Sequence, residues 1–355
     1  MASLRLRDRD AIITDEELIF RVYGYFHPPE ACVCDVEYAP STLFRSPDPR
    51  ALRVKGSKVY YKFYGDEGLR FVREKYPRYT VFYEPLQERL VGVPKSYIGK
   101  TRRPNKRFKQ LIGKPPKDLL LKALHKVFKT ITDRSGLSAG DFGVFGSLLH
   151  GFHHPKFSDL DFTIYGKKKL GRLSEALGEL YLEGGPLQNE FDSKDAIKGK
   201  PWRFLNYSPK EYLWHQRRKM IYALFADEES GRVIKTEFEP VKDWDEIYNE
   251  YSPDTRIMKG GWVKALARIT EDNDTPFLPS IYQIEIMKLL EGPRVGDIQR
   301  VISYLEEFRM QAKRDEEVYV EGNLEQVITS EGTFYQITLT YGPRYYEQAL
   351  KVLNP

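Results

Sequence analysis

Phe142-Gly143-Val144-Phe145-Gly146-Ser147-Leu148-Leu149-His150-Gly151 and, shortly after it, Phe157-Ser158-Asp159-Leu160-Asp161-Phe162-Thr163-Ile164-Tyr165-Gly166 are the stretch on which the reading of this chain turns. The first segment opens as a short apolar strand and breaks at Gly146-Ser147, where a helical turn and a loop are expected. The second reads as a strand with carboxylates in alternation. Residues i and i+2 of a strand share a face, so Asp159 and Asp161 project together while Leu160 and Phe162 turn into a core. Two carboxylates side by side repel each other. A divalent cation between them relieves that cost, and oxygen ligands suit Mg²⁺. Free backbone amides at the expected helix start beside Gly146 and Ser147 favour a phosphate. A phosphate cradle next to a two-carboxylate metal site is equipment for phosphoryl or nucleotidyl transfer.

Gly146, Ser147, Gly151, Ser158, Asp159 and Asp161, in that order and flanked by strands, resemble the motif of the DNA polymerase beta-type nucleotidyltransferase superfamily. The likeness covers about the middle third of the chain. Leu148 and Leu149 stand where basic residues are common in the family, and the loop before Ser158 is a residue longer than usual. The resemblance implies two Mg²⁺ ions, an NTP such as ATP, and nucleotide contacts from Gly146, Ser147 and Ser158. It also implies a third carboxylate on a later strand, presented in some members as an acid, two residues and Pro. Glu237 fits that spacing before Pro240, and Glu239 is the alternative. Asp159, Asp161 and Glu237 are then the catalytic and metal-holding set. By the same analogy the acceptor is a nucleic acid, RNA ahead of DNA.

The chain has 355 residues, which is room for two or three domains. Its net charge is only +5, so the distribution of charge matters more than its sum. Cys32 and Cys34 are two apart on an expected strand and badly aimed for a disulfide, which fits a reducing, cytoplasmic setting. No stretch approaches the ~20 apolar residues of a membrane span. Abundant Glu, Lys, Arg and Pro are compatible with a thermophilic source.

Charge concentrates between Lys95 and Lys129. Arg102, Arg103, Lys106 and Arg107 belong to a run of twelve basic residues, from Lys95 to Lys129, opposed in the local sequence only by Asp118. Pro94, Gly99, Pro104, Gly113, Pro115 and Pro116 make its first part read as a linker. From Lys117 it becomes a helix with Leu120, Leu124, Val127 and Ile131 on one face. The plain reading is a solvated linker and a polar helix face. The functional reading is a phosphate-binding track, with Tyr97 and Phe108 available to stack on bases.

Strands are expected at Leu18–Tyr23, Val33–Tyr38 and 54–64, and a helix over 66–76 that Pro77 ends. Asp35 and Glu37 repeat the same-face acid spacing without a Gly-Ser turn and read as a half-exposed strand face. Later, Leu173, Leu177 and Leu180 mark a helix, and Ser208-Pro209-Lys210-Glu211 is a helix start. Arg217, Arg218 and Lys219 near that helix's end either complement its dipole or contact a triphosphate or RNA. Strands at 220–226 and 232–241 form a hairpin. An apolar stripe of Ile298, Val301, Ile302, Leu305 and Phe308 reads as a helix over 297–311, and strands at 318–328 and 333–341 as another hairpin, in a small α+β or barrel-like domain. His150, His153 and His154 read as polar loop residues, with His150 a candidate phosphate or base contact.

The expectation is therefore an α+β protein with a central nucleotidyltransferase core of mixed sheet and helices at 114–252. Smaller α+β domains flank it at 1–113 and 253–355. The expected activity is Mg²⁺-dependent transfer of a nucleoside monophosphate from an NTP to a hydroxyl. The alternatives are nucleotidylation of a protein or small molecule, and a non-catalytic nucleic-acid-binding protein with a relic site. The sequence leaves the oligomeric state open.

Overall fold

The computed structural model describes residues 5–197 and 203–353. They form a mixed α+β structure that divides into two compact units. The first unit comprises residues 1–83, 87–176 and 225–251; the second comprises 84–86, 177–224 and 252–355. The expected border at 113/114 falls inside the first unit. The border at 252/253 falls beside the point where the chain enters the second unit for the last time.

The first unit begins with β1 (Ala11–Ile13), β2 (Ile19–Val22) and β3 (Ala31–Pro40). Next come β4 (Leu52–Lys55) and β5 (Lys58–Lys62). Residues 54–64 are thus not one strand. Gly56, at φ +59°, turns the chain between two short ones, a conformation that a residue without Cβ adopts freely. Helix α1 (Glu67–Lys75) ends before Pro77 as expected. Strands β6 (Thr80–Tyr83), β7 (Glu88–Pro94) and β8 (Lys100–Arg102) follow. The main path of this sheet runs β4-β5-β3-β2-β1-β8.

The expected linker is folded. β8 pairs with β1, and α2 (Pro104–Ile112) follows directly. Its prolines and glycines mark the ends of elements: Pro104 sits in the first turn of α2 and Gly113 at its C-terminus. Phe108 is fully buried against Phe128, Phe142 and Phe162, so it is a core residue and is not available to stack on a base.

Helix α3 (Leu119–Ser135) starts on an Asp118 cap and stops at Gly136 in the left-handed region. β9 (Phe142–Val144), the short helix α4 (Gly146–His150), β10 (Leu160–Tyr165) and α5 (Lys167–Glu183) come next. β11 (Leu187–Asn189) and α6 (Pro209–Arg217) belong to the second unit. Ser208 and Glu211 close the expected capping box at the start of α6. The hairpin of β12 (Tyr222–Asp227) and β13 (Arg232–Val241) brings the chain back. β13 lies parallel to β10, and β10 antiparallel to β9.

The second unit's sheet contains β14 (Arg256–Asp274), β15 (Ser280–Glu291), β16 (Ile298–Ser303), β17 (Glu317–Thr329), β18 (Gly332–Leu339) and β19 (Ala349–Val352). The order β14-β15-β16-β18-β17 returns to β14, so five strands close a barrel and β19 adds beside β17. Alternate residues Val263, Ala265, Ala267 and Ile269 of β14 fill its interior. The expected helix over 297–311 is instead β16 and a single turn at Glu306–Phe308. β16 lies between β15 and β18, so Val301 and Ile302 are buried on a central strand. A short apolar run of β-branched residues has the spacing of either element, and barrel closure decides it.

Candidate functional site

The site is built on three adjacent strands of the first unit. Parallel pairing puts Asp161 of β10 opposite Glu237 of β13, and Phe162 opposite Phe238. Paired residues share a face, so both acids project to one side. On the other side Phe162 and Phe238 stack with ring centroids 5.1 Å apart. The alternation in the sequence is therefore a real division between a polar face and a core.

The Gly-Ser turn packs on Asp161. The Phe145 amide donates to the Asp161 carbonyl at 3.0 Å. Gly146 has φ +55°, and a Cβ there would lie 2.6 Å from Asp161 Oδ2. Both the conformation and the close approach require glycine. Beyond it α4 has only five residues, which limits the dipole expected at Ser147. The Ser147 carbonyl accepts the Phe152 amide at 2.8 Å, and Gly151 closes the turn at φ +71°. Leu149 and Phe152 then enter an apolar cluster with Tyr38 and Tyr60 of the N-terminal sheet.

Asp159 is exposed and Asp161 half-buried. Burial pushes the Asp161 carboxyl up to about 7; Asp159 repels its charge further, while Lys62 and Lys235 oppose the rise. A cation at this pair would relieve the repulsion, and its donors are the hard oxygens that Mg²⁺ takes. Among the described residues no three His, Cys, Asp or Glu side chains are gathered closely enough to cage an ion alone. Mg²⁺ is commonly held by one or two carboxylates, with water and substrate phosphates completing the shell. Asp159 and Asp161 fit such a site, with Glu237 across the ladder.

Glu239 is committed elsewhere. It forms a buried ion pair with Arg9, whose guanidinium also lies over the Phe145 ring. Ser158 closes its loop: its hydroxyl accepts the His154 amide at 2.9 Å, and its carbonyl accepts from Arg232. His150 is fully buried, and burial holds its pKa below the usual imidazole value. It is thereby removed from the expected phosphate or base contacts. His153 meets Asp118 at 3.1 Å, and His154 stacks on Phe157.

The basic tract divides on folding. Arg103 donates to the Arg5 carbonyl and lies over Trp244. Lys106 is exposed. Arg102 and Arg107 turn to α4: Arg102 donates to His150 Nδ1 at 2.8 Å, and Arg107 to the Leu148 carbonyl at 3.2 Å. Lys122 and Lys126 of α3 pair with Glu229 and Asp227 in the β12–β13 turn, and Lys129 pairs with Asp133. In the second unit Arg217 pairs with Asp192, Arg218 with Glu316, and Lys219 donates to the Glu307 carbonyl. Each of the three thus has a partner within the second unit, and Arg217 is exposed while Lys219 is buried.

Lys62 escaped the sequence reading. It lies on β5, opposite Tyr38 of β3, and no local pattern ties it to residues a hundred positions away. Lys235 was visible as a same-face neighbour of Glu237, but its influence on Asp161 appears only in the folded chain. No helix of the described residues is long and apolar enough to cross a membrane.

No family model and no solved structure matches the chain. It is 28% identical over 342 residues to an uncharacterized protein of Methanocaldococcus jannaschii, with 94% of each chain covered. The likeness therefore runs through both compact units.

Proposed function

We propose that this protein is a nucleotidyltransferase that moves a nucleoside monophosphate from an NTP to a hydroxyl, with RNA the favoured acceptor. The observation that carries the reading is the Gly146 turn packed on Asp161, with Glu237 directly across the parallel ladder. Strand pairing thus joins the separate halves of the sequence motif on one face. A divalent ion held there supplies charge neutralisation for the triphosphate and eases deprotonation of the attacking hydroxyl. Asp159 and Asp161 hold it, and Glu237 stands by as a further oxygen donor. Gly146 keeps the wall beside Asp161 thin enough for a phosphate to approach. Lys62 and Lys235 add positive charge that attracts the triphosphate.

The test is incubation of the purified protein with each labelled NTP, Mg²⁺ and pooled RNA. Label should pass into RNA with at least one NTP, and Asp161→Asn should abolish transfer. Wild-type protein that neither transfers label nor binds any NTP with Mg²⁺ would overturn the proposal.

The pairing of Lys122, Lys126 and Lys129 with carboxylates favours a second reading, in which the acceptor is a protein or small molecule. Transfer without RNA, to an added polypeptide or metabolite fraction, identifies that case.

A further inference from the structure

The N-terminal sheet has its own cavity, apart from the carboxylates. The two ends of the strand path β4-β5-β3-β2-β1-β8 both line it, so the sheet curls until its edges face each other across a gap. Lys55 and Lys58 come from one edge, and Lys100 and Arg102 from the other. Phe152, just beyond α4, forms part of the lining with Tyr60. The cavity holds about 390 Å³, within the range of small-ligand pockets, and is open to one side.

Charge in this cavity is unbalanced. Among its lining residues Glu17 pairs with Lys58, and Asp15 is the other acid. Lys55 donates to the His150 carbonyl at 2.7 Å, and Arg102 to His150 Nδ1. Arg107, just outside, donates to the Leu148 carbonyl. Among the described residues, no carboxylate forms an ion pair with Lys55, Arg102 or Arg107; their hydrogen-bond acceptors are neutral. Cations near a helix C-terminus ordinarily satisfy its last carbonyls. Three around a five-residue helix, with Lys100 alongside, exceed that need. Burial and its positive neighbours Arg102, Arg107 and Lys58 all disfavour the charge on Lys55. An anion entering the gap would relieve this repulsion and gain charge-assisted hydrogen bonds.

We propose that this cavity binds the phosphate of a nucleotide, with Lys55, Lys100 and Arg102 as its ligands. A cavity of about 390 Å³ is too small to admit a duplex, so the ligand is a single terminal nucleotide or a free mononucleotide. Phe152 follows the short helix α4 and packs with Leu149 on this sheet, so a strand end held here would lie against Phe152, six residues past Gly146. That link to an acceptor rests on the nucleotidyltransferase reading; the binding itself does not, and is measured without turnover.

The probes are a short single-stranded RNA with a 5′-monophosphate, the same RNA with a 5′-hydroxyl, and AMP, all without divalent metal. The wild type should prefer the phosphorylated strand. The double variant Lys55→Gln/Lys100→Gln should remain folded at the assay temperature, with a slightly lower melting point from loss of the Lys55 hydrogen bond to the His150 carbonyl; Lys100→Gln alone alters an exposed side chain and should melt like wild type. The double variant should lose the preference, with a salt slope lower by roughly 0.7 per lost contact on a single strand. Asp159→Asn should retain the preference, which separates this site from the carboxylates. If AMP competes as well as the phosphorylated strand, the site takes free mononucleotide; if it does not, the site takes a strand end. Equal wild-type affinity for both RNAs with no AMP binding, or a double variant that binds as wild type, overturns the proposal even if transfer activity is found. Transfer activity that fails while the preference stands overturns only the nucleotidyltransferase reading.

Discussion

Arg9 and Glu239 form an ion pair in the interior of the first unit, each side chain only 1% exposed. The pair joins the start of the chain to β13 and takes Glu239 out of contention as the third carboxylate. Glu237 remains as the acid opposite Asp161. Desolvating two charges is costly, and the pair repays this only while both members are present.

Removing one partner should therefore cost more than removing both. Arg9→Met removes the guanidinium that both buried Glu239 and buried Asp8 face, and should lower stability by about 3–5 kcal/mol. Arg9→Met with Glu239→Leu should recover part of that loss, the remainder being the cost at Asp8. Urea unfolding of the three proteins measures it. A single variant as stable as the double would show that the pair is not coupled.

Asp161 should make the metal-free protein sensitive to pH. Its folded pKa, about 7, lies above its ordinary 3.8. Between those values the folded state keeps a proton that the unfolded state has lost, so stability falls as pH rises through this window and stays low above it. Asp161→Asn removes the penalty. In chelator its melting temperature at pH 8 should exceed wild type by a few degrees, on the order of 2–4 °C for each kcal/mol regained. The gap should close toward pH 4, and added Mg²⁺ should raise the melting point of wild type more than that of the variant. A variant that melts below wild type at pH 8 would contradict the placement of this carboxyl.

Gly146→Ala tests the turn. The left-handed conformation alone costs a non-glycine residue about 1–2 kcal/mol, and the added methyl meets Asp161 Oδ2. Nucleotidyl transfer should fall at least tenfold, which corresponds to about 1.4 kcal/mol of barrier. Wild-type kcat in this variant would remove the turn from the site.

The basic residues should separate by their folded surroundings. Lys106→Gln, on an exposed side chain, should leave melting unchanged and lower the salt slope of RNA binding by about one unit or less. Arg103→Gln breaks the contact with the Arg5 carbonyl and should lower the melting point. Equal effects of the two changes on both measurements would mean that the tract acts as a uniform charged linker.

The features legible in the sequence were those set by short-range geometry. Alternation on β10 turned Asp161 away from buried Leu160 and Phe162, the Ser208 capping box started α6, and the β12–β13 and β17–β18 hairpins were readable from their turns. Each depends on residues two to five positions apart, where backbone geometry leaves few choices.

Other outcomes belonged to tertiary structure. Lys126 finds Asp227 about a hundred residues away, so counting nearby acids could not reveal that part of the basic tract is neutralised. The apolar stripe at Ile298 became a strand because a closing barrel buried it between two neighbours, although its spacing also suits a helix. Arg9 chose between two glutamates on one strand face, and the curled N-terminal sheet brought Lys55 and Arg102 to the same gap. The sequence by itself determined the spacing of Gly146, Ser147, Asp159 and Asp161 because that spacing is local. Charge pairing and the cavity required the tertiary structure, since desolvation and Coulomb energy depend on distance in space and not on separation along the chain.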